Sequence, residues 1–156
     1  MRGLGGLVVM LVIVYGAAAL GGLATSQSVG TWYRELLKPS WTPPAWVFGP
    51  AWTLLYTLMA IAAWLVLRRA GQAAVTVPLL LFGVQLALNL AWSLLFFGAR
   101  QPGWAMLDIG LLWLGIAATM LTFWRVSPVA GALFVPYLLW VTYASTLNWG
   151  IWRLNP

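Results

Sequence analysis

Apolar residues fall in five long runs separated by polar or proline-rich breaks: Leu4 to Thr25, Phe48 to Leu67, Val77 to Phe97, Trp104 to Trp124 and Pro128 to Trp149. A helix needs about 20 apolar residues to cross the hydrocarbon of a bilayer, and each run meets that length. The pattern predicts an all-α protein, an integral membrane bundle of five transmembrane helices, with residues 1–156 forming one domain. The first run has a second reading. Arg2, an apolar stretch and Ala17-Ala18-Ala19 also resemble a secretory signal with its cleavage site. The run continues through Gly21 and Gly22 towards Thr25, beyond a usual signal core of about 7 to 15 residues, which favours a membrane helix.

Of the breaks, only the first is long, from Ser26 to Ala45, and its Thr31 to Leu37 segment has helical character. A connection of this length in a compact protein is usually functional or disordered, and the helical segment predicts an ordered lid. The chain then reads WTPPAWVFGPAWTLLY from Trp41 to Tyr56. Pro43, Pro44 and Pro50 lack a backbone donor and are tolerated in a loop or a first helical turn, so the second span begins between Trp46 and Pro50. Trp52 and Tyr56, four residues apart, share one face of it.

Consecutive spans run antiparallel, so the half of the bundle beside loop one collects Trp52 and Tyr56 of span two, Asn89 and Trp92 of span three, Asp108 of span four, and Trp140, Tyr143 and Asn148 of span five. The opposite half is mostly Leu, Val and Ala. At 100° per residue, Gln85, Asn89 and Trp92 fall on one face of span three and Gly83, Ala87 and Ala91 on nearly the opposite one. The first face suits a pocket. The second, with small residues at spacing four, suits close helix packing and predicts a homodimer. Gly16, Ala17, Gly21 and Gly22 of span one form a rival surface. In span five, Trp140, Tyr143, Ala144 and Asn148 follow helical spacing, with Ala144 leaving room between larger groups. Asn89 and Asn148 need partners in hydrocarbon: a ligand, each other, or another helix. Asp108 is the only acid in a span; it suggests proton coupling, but its place about one turn into span four, with Arg100 across the short loop, favours an ion pair.

Composition narrows the reading. The chain is 63% hydrophobic and 6% charged, with mean hydropathy +0.91, which excludes a water-soluble domain. Net charge is +6, yet the basic residues are scattered, so nucleic-acid binding is a poor reading. Arg34, Lys38, Arg100 and Arg153 on one side balance Arg2, Arg68, Arg69 and Arg125 on the other, and orientation stays undetermined. With no Cys and no His, disulfides, thiolate nucleophiles, most zinc sites and histidine-held haem are excluded. Lys38, the only lysine, lies outside the spans, which excludes a buried Schiff base. Tryptophans 32, 41, 46, 64, 124, 149 and 152 read as anchors at the membrane interface.

The segments KPSWTPPAWVFGPAWTLLY (Lys38 to Tyr56), LALNLAWSLLFFG (Leu86 to Gly98), LDIGLLW (Leu107 to Trp113) and FVPYLLWVTYASTLNW (Phe134 to Trp149) resemble the TspO/MBR family, the tryptophan-rich sensory proteins related to the mitochondrial translocator protein. The resemblance implies a five-helix bundle, often dimeric, in a bacterial cell membrane. It also implies a pocket beneath loop one for porphyrins, some sterols and synthetic isoquinoline or benzodiazepine ligands. By motif, Trp52, Tyr56, Asn89, Trp140 and Ala144 would line it. The expected ligand is a porphyrin of the protoporphyrin IX type, with no obligatory cofactor. Trp149 stands where the animal proteins carry a tyrosine in a proposed cholesterol motif, which puts sterol binding there in doubt; Val29, Tyr33 and Lys38 match the same pattern loosely. The leading function is a porphyrin-binding sensory or regulatory protein. Alternatives are a transporter of porphyrins or other lipophilic metabolites, and light-dependent porphyrin breakdown.

Overall fold

A computed structural model describes residues 3–156; Arg2, counted in the charge balance above, lies outside the described residues. The helices are α1 (Leu4–Val29), α2 (Trp32–Glu35), α3 (Phe48–Arg68), α4 (Thr76–Ser93), α5 (Pro102–Val126), α6 (Pro128–Ala132) and α7 (Val135–Leu154). A 3-10 turn at Ala45–Val47 leads into α3, and a π-helical turn at Leu94–Gly98 continues α4. Five of the resulting segments are long and apolar enough to cross a membrane, with α6 and α7 together making the fifth.

Prolines set where these helices start. Pro102 and Pro128 open α5 and α6, Pro136 is second in α7, and Pro50 and Pro78 are third in α3 and α4. The missing N–H is one of those a first turn leaves unbonded in any case. Pro136 also breaks span five. It cannot donate to the carbonyl of Ala132, four residues earlier, and α6 ends there; Phe134 N–H closes a tighter turn onto Gly131 O at 3.0 Å instead.

Two boundaries differ from the apolar pattern by a full turn or more, and the other ends shift by at most two residues. Span one runs to Val29 rather than Thr25, because Thr25 and Ser26 turn their hydroxyls back to Gly21 O (2.9 Å) and Leu23 O (3.0 Å), and Ser28 donates to Phe97 O. Polar side chains satisfied in this way do not end a helix. Span five runs to Leu154 rather than Trp149, where Asn155 Nδ2 donates to Ile151 O at 2.8 Å and caps it. Within loop one, the helix covers Trp32–Glu35 rather than Thr31 to Leu37, since Leu36 is extended at ψ 141°.

In the half away from loop one, Phe82, Phe123, Phe134 and Tyr137 interlock, with Phe123 and Phe134 edge to face at 5.3 Å and Phe82 and Phe123 stacked at 6.0 Å. Ala60, Ala62, Ala63, Val66 and Ile116 fill the remaining space and are fully buried. Here the backbone of α3 lies close to α6. Towards loop one, α3 and α7 meet through aromatic rings instead: Trp52 with Trp140 at 6.4 Å and Phe48 with Trp140 at 6.0 Å. The break before α7 thus lets the helix leave α3, and a space opens between them.

Candidate functional site

That space is a cavity of about 570 Å³ under loop one. Trp52 and Tyr56 of α3, Trp92 and Phe96 of α4 and its π turn, and Trp140 and Ala144 of α7 form its walls. Helix α1 closes one side with Ala18, Gly22, Thr25 and Val29, and loop one covers it with Tyr33, Lys38, Thr42 and Pro43. Trp52 and Tyr56 stack at 5.3 Å, consistent with their spacing of four on one helix face. Trp92 stacks on Phe96 at 5.1 Å, which fixes the ring that faces the cavity.

Hydrogen bonds behind the wall hold these rings. Tyr56 OH donates to Asn89 Oδ1 at 2.8 Å, and Asn89 Nδ2 donates to Tyr137 OH at 2.8 Å. Trp92 Nε1 donates to Asn148 Oδ1 at 2.9 Å, and Asn148 Nδ2 donates to Pro102 O at 2.9 Å. Both amides therefore bond to neighbouring helices rather than to each other. Asn148 still lines the cavity, whereas Asn89 stands behind Tyr56. The indole N–H of Trp140 differs: it is buried and has no hydrogen-bond partner among the described residues.

Tyr143 is placed elsewhere. Its hydroxyl donates to Trp41 O at 2.6 Å, so it fastens loop one to α7 and does not line the cavity. Trp41 Nε1 in turn donates to Thr146 Oγ1 at 3.2 Å, and Asn155 clasps Leu37 from both sides, accepting from its N–H at 3.0 Å and donating to its carbonyl at 2.9 Å. Pro39 rests on Gly150, where any side chain would collide with the proline ring. Loop one is thus an ordered cover latched along α7. Trp32, expected at the membrane interface, packs edge to face on Phe96 at 5.8 Å beneath this cover. Trp41, Trp46, Trp124, Trp149 and Trp152 are exposed, as an interfacial role requires.

The ion pair expected of Asp108 does not form. Its carboxylate is buried and Oδ2 has no partner among the described residues, while Arg100 is exposed and lines a separate surface crevice with Trp104 and Trp152. Arg100 follows the π turn at φ 57°, a backbone turn that carries its side chain away from the bundle. Spacing missed Tyr137, although it lies three residues before Trp140 on the same face. The contributions of α1 and loop one carry no periodic signal beyond the loose pattern of Val29, Tyr33 and Lys38, all three of which line the cavity.

The fold and this site define a membrane-spanning five-helix bundle with a covered, aromatic-walled cavity at one end. The chain belongs to the TspO/MBR family, whose model matches residues 8–153. It is 48% identical to the human translocator protein over 126 residues, covering 80% of this chain and 75% of that protein. It is 45% identical to protein CrtK of Rhodobacter capsulatus over 140 residues, covering 89% and 88%. With the tryptophan-rich sensory protein of Cereibacter sphaeroides the figures are 44% over 143 residues, 88% and 87%.

Proposed function

We propose that this chain is a tetrapyrrole-binding sensory or regulatory protein of a bacterial cell membrane, taking a porphyrin of the protoporphyrin IX type into the cavity beneath loop one. The carrying observation is the cavity wall, where Trp52, Tyr56, Trp92 and Trp140 present aromatic surface. Flat aromatic ligands stack on such rings, and a volume of about 570 Å³ falls within the range of small-molecule sites. The names of its relatives, a translocator protein and a tryptophan-rich sensory protein, agree with a ligand-handling role.

Titration with protoporphyrin IX in mild detergent should quench tryptophan fluorescence. Trp52→Ala and Trp140→Ala should each weaken binding about two- to tenfold, from the roughly 0.5 to 1.5 kcal/mol that aromatic packing adds beyond area burial. Trp124→Phe, on the exterior, should leave affinity unchanged. Equal affinity in all three variants would place the ligand elsewhere.

The same proposal includes a homodimer through Gly83, Ala87 and Ala91. Gly83 and Ala87 are exposed on α4, and Gly83 has open space where a side chain would stand. In the rival stripe on α1, Gly16 is exposed like Gly83, whereas Gly21 is packed inside the bundle. A methyl group at Gly21 would lie 3.1 Å from Ser93 Oγ, and Gly22 lines the cavity. Ala87→Leu should dissociate the dimer in detergent, read by light scattering; a dimer that survives it uses another surface.

A further inference from the structure

Around the cavity, one charged side chain stands out. Lys38 is the only one among the described lining residues. Its Nζ donates to Leu36 O at 3.0 Å and Arg34 O at 3.4 Å, and lies 4.7 Å from the centroid of the Tyr33 ring. An ammonium has three donors, so two carbonyls leave one N–H to spare. Carbonyl dipoles and a ring face solvate the charge without cancelling it. Glu35, the acid of the same loop, is exposed and does not line the cavity. An uncancelled cation beside a wall of indole and phenyl rings attracts an anion more strongly than it would in water.

Tyr33 adds a second donor next to it. Its ring packs on Phe96 and Phe97 at 6.2 and 5.5 Å, which holds it against the cavity. Burial pushes the Tyr33 phenol up from its ordinary value, so the hydroxyl remains a neutral donor at physiological pH. The apolar rings therefore line the depth of the cavity, and two hydrogen-bond donors, one of them charged, hang from its cover.

We propose that Lys38, assisted by Tyr33, is an anion-recognition point under loop one, and that it selects aromatic ligands carrying a carboxylate. This deepens the tetrapyrrole reading, since porphyrins of the proposed type carry propionates; it applies equally to any flat aromatic acid. The Lys38 ammonium would give its spare proton donor to the carboxylate oxygen, with Tyr33 OH donating to the same group, while the ring system lies against Trp52 and Trp140.

The test compares acids with their esters. Protoporphyrin IX and its dimethyl ester, and 1-pyrenebutyrate and its methyl ester, are titrated at pH 8 against the parent protein, Lys38→Met and Lys38→Arg in one detergent. Lys38→Met should weaken both acids ~10-fold, the worth of one charge-assisted hydrogen bond, and change both esters less than twofold. Lys38→Arg should restore most of the acid affinity. Equal losses for acid and ester would make Lys38 a staple of the loop and overturn the proposal, as would no loss for either. Discrimination kept for the pyrene pair while neither porphyrin binds the parent would sustain the anion site and sink the tetrapyrrole reading. If no probe binds the parent, both fall.

Discussion

The two ends of the bundle are built from similar aromatic side chains and do opposite things with them. Away from loop one, Phe82, Phe123 and Phe134 pack in one buried cluster with small residues of α3, Ala60, Ala62 and Ala63. Beneath loop one, α3 carries Trp52 and Tyr56 instead, and the rings of Trp52 and Trp140 prop the helices apart. Alanine lets two backbones approach until neighbouring rings interlock; tryptophan at the same interface holds them at ring width. The difference also lies in what holds the rings. Phenylalanines at the closed end are fixed by contact alone, whereas Tyr56 and Trp92 at the open end are held by hydrogen bonds to Asn89 and Asn148 behind them. A cavity lacks the packing that would otherwise orient its wall, and buried polar bonds supply it.

Three experiments break or sharpen this contrast. The largest effect is expected at the closed end. Phe134 is fully buried among Phe82, Phe123 and Tyr137, so Phe134→Ala should cost about 3 kcal/mol of stability in thermal unfolding while porphyrin affinity of the folded fraction changes little. A large loss of affinity at unchanged stability would show that the two ends are not separable.

Next comes the cover. A methyl group at Gly150 collides with the Pro39 ring, so Gly150→Ala should lift loop one from α7 at a cost of about 1 to 3 kcal/mol. Hydrogen exchange of residues 31–44 should accelerate, and bound ligand should dissociate faster, with the unfolding temperature of the helices nearly unchanged. Unaltered exchange would mean that the proline moves aside without releasing the loop.

The smallest effect belongs to the clasp at the end of α7. Asn155→Ala removes both bonds to Leu37, each worth about 1 kcal/mol net at most in an exposed position, and should raise exchange at the Leu37 amide specifically. Protection unchanged at Leu37 would assign the latch to Tyr143 and Pro39 alone.

The five spans, the proline start of the second and the polar half of the bundle were legible from the chain, because each depends on runs of apolar residues or on the missing N–H of proline. Helical spacing also brought Trp52, Tyr56, Trp92, Trp140, Ala144 and Asn148 to the faces where the structure puts them around the cavity. Spacing failed where a side chain's role depends on what stands opposite. Tyr143 follows the same period as Trp140, yet it meets Trp41 of the folded-back loop rather than the cavity. Asp108 looked paired with Arg100 along the sequence, but the turn at Arg100 carries the two apart.

Local chemistry, then, determined on its own that this chain crosses a membrane five times and gathers its aromatic and amide groups at one end, since hydrophobic length and helical period act within a single segment. Only the tertiary structure decided which groups meet. Asn89 found Tyr56 and Tyr137, Asn148 found Trp92 and Pro102, and Lys38 came to lie over the cavity. The physical reason is that a buried polar group bonds whatever donor or acceptor the neighbouring helices bring within about 3 Å, and helix tilt, the break before α7 and the latching of loop one set those distances.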